Sequence, residues 1–189
     1  MNQFPYPLPD TVPASVQALL DARPPRNVFR MLAHAPALMP GLMQLTGSIL
    51  YGATLDPISR ELVVLRVGHL CNSHYEIEQH RKIAKAVGLS QDKIDGTARN
   101  ADAATYSERE LLILRLTEQV VRNVKADDAL FAAVTAAYGL EQTMELLVII
   151  GVYVMLANVL VNTDVQLEEG GGPAAADVAK LFGNQAVKP

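Results

Sequence analysis

From Ser15 onward apolar residues recur at helical spacing, and no run of alternating β-branched residues closed by an Asn-Gly-type turn marks a hairpin. The pattern predicts an all-α chain, with helices at 14–22, 28–34, 37–51, 57–70, 74–87, 91–96, 108–123, 127–138 and 140–162. Local chemistry explains several boundaries. Asp56 followed by Pro57 supplies an N-cap acceptor and a proline at the first helical position, where its missing N–H costs nothing. Ser73-x-x-Glu76 and Ser107-x-x-Glu110 both have capping-box spacing, in which hydroxyl and carboxylate each satisfy an orphan N–H. Gly88 ends one helix as a C-terminal glycine, and Ser90 or Asp92 caps the next. A break near Asn72 therefore folds 57–87 into a helical hairpin. The segment Arg60-Glu61-Leu62-Val63-Val64-Leu65-Arg66 is echoed by Arg109-Glu110-Leu111-Leu112-Ile113-Leu114-Arg115, two amphipathic helix starts of one pattern.

The stretch 146–163 contains no charged residue and reaches the lower edge of a membrane-spanning length. Asn158 and Asn162 lie inside it and no Lys or Arg cluster flanks it, which favours a buried helix over a membrane segment. A helix apolar around its circumference must be covered around its circumference. In a chain of 189 residues part of that cover is expected from another subunit, hence a homo-oligomer.

Composition narrows the function classes. With 50% hydrophobic and 19% charged residues the chain buries a substantial core, which excludes global disorder. Sixteen Lys and Arg against 20 Asp and Glu, with no run of like charges, argue against a nucleic-acid partner. Cys71 is the single cysteine, so neither an internal disulfide nor a C-x-x-C redox pair exists, and a reducing cytoplasm is the expected setting. The start is rich in proline (Pro5, Pro7, Pro9, Pro13) and lacks a basic start and an apolar h-region, so it reads as an arm rather than a targeting segment. The expected organisation is an arm and short helix at 1–23, one helical domain at 24–167 and a flexible C-terminal tail at 168–189, containing Gly170-Gly171-Gly172-Pro173.

Reactive side chains concentrate at Glu61, His69, Cys71, Ser73, His74, Tyr75, Glu76, Glu78 and His80. Glu76 and His80 are four apart on one helix and share a face, which favours imidazolium and orients the ring for proton transfer. The hairpin brings Glu61 toward His80 from the preceding helix. The plainer alternatives are that Glu76 only closes its capping box and that His80, beside Arg81 and Lys82, lies on a solvated face. His69 reads as a satisfied core histidine, and His34 as the end of a helix. A metal reading would use His74, Glu76 and His80, but the two histidines are six apart and face different sides, and no H-E-x-x-H occurs; no metal is expected. Cys71 reads as a buried small hydrophobe. Phosphate-loop, dinucleotide-binding and G-x-S-x-G signatures are absent.

Arg60-Glu61-Leu62-Val63-Val64-Leu65-Arg66-Val67, then Ser73-His74-Tyr75-Glu76, His80, Ala84 and Gly88-Leu89, resembles the carboxymuconolactone decarboxylase family, which includes the alkylhydroperoxidase D-like proteins. The likeness runs over about 24–164, with Glu108 to Asn162 similar to the family's second half and Glu145 opening its final apolar helix. It implies an all-helical oligomer, commonly trimeric or hexameric. In the alkylhydroperoxidase members a C-x-x-C is served by an upstream glutamate and a downstream histidine. Counted from Glu61, those thiols fall on Ser73 and Glu76, while the glutamate and histidine match Glu61 and His80. The decarboxylase branch carries Tyr-Glu there, as Tyr75-Glu76 does here, and acts without a cofactor on a small carboxylated lactone in aromatic catabolism. On that likeness His80 transfers the proton, Glu61 and Glu76 orient and tune it, and Ser73 and Tyr75 bind substrate. The alternatives are a peroxide-handling antioxidant protein using Cys71 with a thiol from elsewhere, and a non-catalytic helical binding module.

Overall fold

A computed structural model describes residues 4–22, 24–99 and 105–169, and among them no β-strand occurs. A 3-10 turn, Pro9–Thr11, precedes eight helices: α1 Ala14–Asp21, α2 Asn27–Leu32, α3 Met39–Tyr51, α4 Pro57–Leu70, α5 His74–Ala86, α6 Gln91–Gly96, α7 Glu108–Asn123 and α8 Asp128–Asn162. The glycine-rich stretch and the rest of the expected tail at 170–189 lie outside the described residues.

α4 is the centre of the molecule. It packs against α5, α7 and α8, and all of its residues from Ser59 to Gly68 are buried. Asp56 accepts from the Ser59 N–H at 2.9 Å and Pro57 occupies the first turn, as the sequence predicts. The other end closes as a Schellman motif: Asn72 N–H donates to His69 O and Ser73 N–H to Gly68 O at 2.9 Å, with Asn72 left-handed at φ 53°. This two-residue reversal sends α5 back along α4. The helices meet closely at Gly68, where a Cβ would stand 3.0 Å from Ile77 Cγ1. The same motif ends α5 at Gly88, with φ 94° and Leu89 N–H donating to Ala84 O. It also ends α8 at Asp164, with φ 51° and Val165 N–H donating to Leu160 O.

α7 starts with the expected capping box, Ser107 and Glu110 each satisfying the other's backbone. The helices expected at 127–138 and 140–162 are the two halves of α8, divided at Gly139, whose φ of 76° and ψ of 172° break the helical path. Glu145 lies within that element, not at its start. Its carboxylate accepts from the Thr54 and Leu55 N–H groups, both at 2.8 Å, and so fixes the loop between α3 and α4. Within the chain α8 is covered on one side: it buries Leu146, Ile149, Ile150, Tyr153 and Leu156 against the core, while Leu140 and Met144 are 81% and 61% exposed. α4 is the enclosed helix instead. α8 is long and apolar enough to cross a membrane by length and composition alone, but it lies against α4 and α7 as a core helix.

Candidate active site

An enclosed charged residue in α4 needs partners within the protein, since burying a bare carboxylate costs several kcal/mol or more. Glu61 is fully buried. Its Oε1 accepts from Arg60 Nε at 3.1 Å and its Oε2 faces His80 Nδ1 at 2.7 Å. Burial opposes the charge on Glu61, but the imidazolium of His80 and the guanidinium of Arg60 outweigh it and hold the carboxyl below its ordinary value. The Asn72 reversal is what makes this possible, since it brings the middle of α5 alongside the first turns of α4. Arg60 also donates from Nη1 to Leu50 O, tying the pair to α3. The His80 ring packs edge-on against Tyr153 of α8, centroids 5.1 Å apart. Nδ1 is thus committed to Glu61, and the ring lines a cavity of about 220 Å3. That is below the roughly 300–1,000 Å3 of clefts for drug-sized ligands and suits a smaller molecule.

The cavity is mostly apolar, walled by Met43 to Tyr51 of α3 and by Tyr153, Leu156 and Leu160 of α8. Its polar wall is one face of α5, formed by Tyr75, Glu76, Gln79 and His80. Glu76 is 3% exposed, and among the described residues neither carboxyl oxygen has a hydrogen-bond partner. Burial alone pushes its carboxyl well above the ordinary range, which favours its protonated form.

Expectations drawn from spacing are corrected here. Ser73-x-x-Glu76 is not a capping box: Ser73 makes no side-chain cap bond, and its hydroxyl is buried without a partner. Its N–H, which Glu76 would have accepted from, is already used to close α4. Glu76 also does not hydrogen-bond His80; the imidazole's partner is Glu61. Ser73, expected at the substrate, is outside the cavity wall, whereas Tyr75 is in it. His69 is not a satisfied core histidine, for its Nε2 is buried without a partner. Cys71 caps the end of α4, half-buried. Burial, followed by the nearby Glu76, pushes its thiol up, which disfavours a thiolate. Among the described residues no cluster of metal-ligating side chains forms.

Arg60, which opens the echoed segment, belongs to this region, as do Gln79, Tyr153 and Glu168, which carry no sequence signal that singles them out. Glu168, expected in a flexible tail, is docked. Its carboxylate accepts from Tyr75 Oη at 2.5 Å, Gln79 Nε2 at 2.6 Å and the Asn27 N–H at 2.7 Å.

A helical hairpin that holds a carboxylate–imidazole pair at the wall of a small apolar cavity defines an all-α protein of alkylhydroperoxidase D-like fold. Residues 36–119, which include the pair, match the model of the carboxymuconolactone decarboxylase family. A peroxidase-related protein from Silicibacter sp. TM1040 is similar in structure with a TM-score of 0.77, at 14% identity over 92% of this chain and 95% of that one. The alkylhydroperoxidase AhpD core of a peroxidase-related protein from Ralstonia eutropha JMP134 has a TM-score of 0.71 at 19% identity, over 89% and 93% of the two chains. A protein from Agrobacterium tumefaciens described as an AhpD-type antioxidant defence protein of unknown function has a TM-score of 0.67 at 20% identity, over 73% and 95%. At these identities the likeness is one of fold. No curated protein matches the chain.

Proposed function

We propose that this chain is a cofactor-independent proton-transfer enzyme of the decarboxylase type, acting on a small carboxylated lactone. The observation that carries the reading is the division of labour between two carboxyl groups in one site. Glu61 is bound to His80 and Arg60, which favour its charged form, whereas Glu76 faces the same cavity without a partner among the described residues, and burial favours its protonated form. Environments that push two pKa values apart are how a site assigns an acid and a base. When the substrate's C–C bond to its carboxylate breaks, CO2 leaves and the bonding pair moves into the system conjugated with the lactone carbonyl. A proton from the His80 imidazolium then goes to carbon, leaving neutral His80 oriented by Glu61. The neutral Glu76 donates a hydrogen bond to the oxygen on which charge develops. Tyr75 shapes the polar wall.

The test is substrate loss and CO2 release from carboxymuconolactone by the pure protein. Turnover that falls about 10^2- to 10^4-fold in His80→Ala supports the assignment; wild-type turnover in that variant would refute it.

The names of the structural relatives favour a second reading, peroxide reduction. It needs a thiolate, and the environment of Cys71 opposes one. Undiminished peroxide consumption in Cys71→Ser would dismiss it. A non-catalytic module is favoured least, because its mark would be an exposed Glu61 and His80 with no pocket. The exposed apolar residues of α8, Leu140 and Met144 among them, support the expected homo-oligomer. A monomer mass in size-exclusion chromatography would count against it.

A further inference from the structure

At the rim of the cavity three donors converge on one carboxylate. Glu168 Oε1 accepts from the Asn27 N–H and the Tyr75 hydroxyl, and Oε2 accepts from Gln79 Nε2. Tyr75 and Gln79 are each 5% exposed, so the cradle is built into the wall rather than laid on the surface. Arg26 donates to Gln79 Oε1, which turns the amide's N–H groups toward Glu168. Burial opposes the charge on Glu168, but the hydrogen bonds from Tyr75 and Asn27 and the nearby Arg26 charge hold its carboxyl below the ordinary value. The side chains of the cradle offer only donors to the group they hold, so the chemistry of the place is that of a carboxylate receptor.

Its position matters as much as its chemistry. Tyr75 and Gln79 are four apart on α5. One residue beyond each stand Glu76 and His80, and all four line the same cavity. A carboxylate seated in the cradle would therefore place the body of its molecule over the acid and the imidazole. Glu168 reaches it on a short strap. The chain reverses at Asp164, Val165 is buried, and Asn27 Nδ2 donates to Gln166 O at 2.9 Å. The strap is also held by the Val165 N–H on Leu160 O and by Val165 and Leu167, which pack with Met31, Tyr75 and Leu160.

We propose that the Asn27–Tyr75–Gln79 cradle is the carboxylate-binding subsite of the cavity, occupied by Glu168 in the free protein and by the carboxylate of a small ligand when the strap formed by residues 164–169 moves out. The proposal deepens the reading above and rests on it for the substrate class. A neutral amide in place of the carboxylate would set an NH2 against donors, and such mismatches at buried polar groups discriminate strongly.

The test uses the full chain and a carboxylate that serves only as a binder, benzoate, with benzamide as its neutral analogue. Calorimetric titration of wild type, Glu168→Ala and the double variant Glu168→Ala/Tyr75→Phe is expected to show benzoate bound at least tenfold more tightly by Glu168→Ala than by wild type. The same variant should prefer benzoate to benzamide about tenfold, and the double variant should lose most of the gain. Equal benzoate affinity in wild type and Glu168→Ala, or no preference over benzamide, overturns the proposal. Should Glu168→Ala prove misfolded by circular dichroism, Glu168→Gln keeps the side-chain length and removes the charge, and it is held to the same gain over wild type and the same preference. Benzoate binding without lactone turnover would sink the carboxy-lyase reading and uphold the subsite. Lactone turnover with unchanged benzoate affinity would do the reverse.

Discussion

The starts of α5 and α7 carry the same four-residue signal, Ser-x-x-Glu, and use it for different ends. At α7, Ser107 adopts an extended backbone at φ −66°, ψ 160°, its hydroxyl accepts from the Glu110 N–H, and Glu110 accepts from the Ser107 N–H at 2.8 Å. Lys93 anchors the same carboxylate at 2.7 Å. Burial opposes the charge on Glu110, but Lys93 and Ser107 outweigh it and hold the carboxyl below its ordinary value. At α5, Ser73 follows Asn72 directly out of α4, and its N–H must close the Schellman motif on Gly68. The box loses one of its two bonds before it can form. Glu76 lines the cavity instead, without a hydrogen-bond partner among the described residues and with its carboxyl pushed well above the ordinary range by burial. One residue shared between two helix ends separates a structural glutamate from a chemical one.

The echoed segments sharpen the contrast, because Glu61 and Glu110 occupy the same place in the repeated pattern. Glu61 is fully buried between Arg60 and His80, while Glu110 keeps 12% of its side chain exposed and pairs with Lys93, itself 30% exposed. Glu61→Ala removes the fully buried carboxylate that Arg60 and His80 share, so a loss of about 3–5 kcal/mol is expected. Glu110→Ala removes a cap and a partly solvated ion pair, and about 1 kcal/mol is expected. Urea denaturation of the two variants checks this. Equal losses would mean that the buried network holds no more than a surface cap.

The hairpin, the caps at Asp56 and Ser107, the Gly88 stop and the approach of Glu61 to His80 were legible in the sequence because each depends on residues near one another or on one tight reversal. The role of Glu76 was not. Its spacing predicts a capping box, and only the left-handed Asn72 shows that the Ser73 N–H is already spent. Tyr153 reads as one more apolar position in a long apolar helix until the fold sets its ring edge-on to His80. Glu168 is 93 residues from Tyr75, and nothing local distinguishes it from a solvated tail charge. Apolarity around α8 does not say which of its faces the rest of the chain reaches, and the side left exposed is apparent only in the fold.

Glu76 gives the next test. A buried carboxyl without a partner costs stability, so Glu76→Met, similar in size and apolar, is expected to stabilise the fold by about 1–3 kcal/mol while turnover falls. The pH dependence follows from the same placement. Above the ordinary carboxylate value of about 4.3 the unfolded chain releases this proton and the folded chain keeps it. Stability contributed by Glu76 therefore falls as pH rises, by up to about 1.4 kcal/mol per unit while the folded side chain remains neutral. Glu61 has the opposite sign, its contribution being present above about 4.3 and lost as pH falls. Urea midpoints of wild type and Glu76→Met between about pH 5.5 and 7.5 should diverge, the variant gaining relative to wild type as pH rises. Parallel curves would show that Glu76 is ionised in the folded protein, and the acid role would go with them.

The smallest effect separates the two serines. Ser107→Ala removes a hydroxyl that accepts from the Glu110 N–H, and loss of such a cap costs about 1 kcal/mol. Ser73→Ala removes a hydroxyl that is buried and bonded to nothing among the described residues. No bond is lost and an unsatisfied polar group disappears, so the change is expected to lie within about 0.5 kcal/mol of wild type or on its stable side. Since the Ser73 N–H closes α4 through the backbone, the substitution leaves the reversal at Asn72 in place, and with it the contact of Glu61 with His80. Lactone turnover in Ser73→Ala should therefore stay near wild type. A cap-sized loss of stability there would mean that Ser73 and Glu76 do close a box in solution, which would take Glu76 out of the cavity and make α5 begin as α7 does.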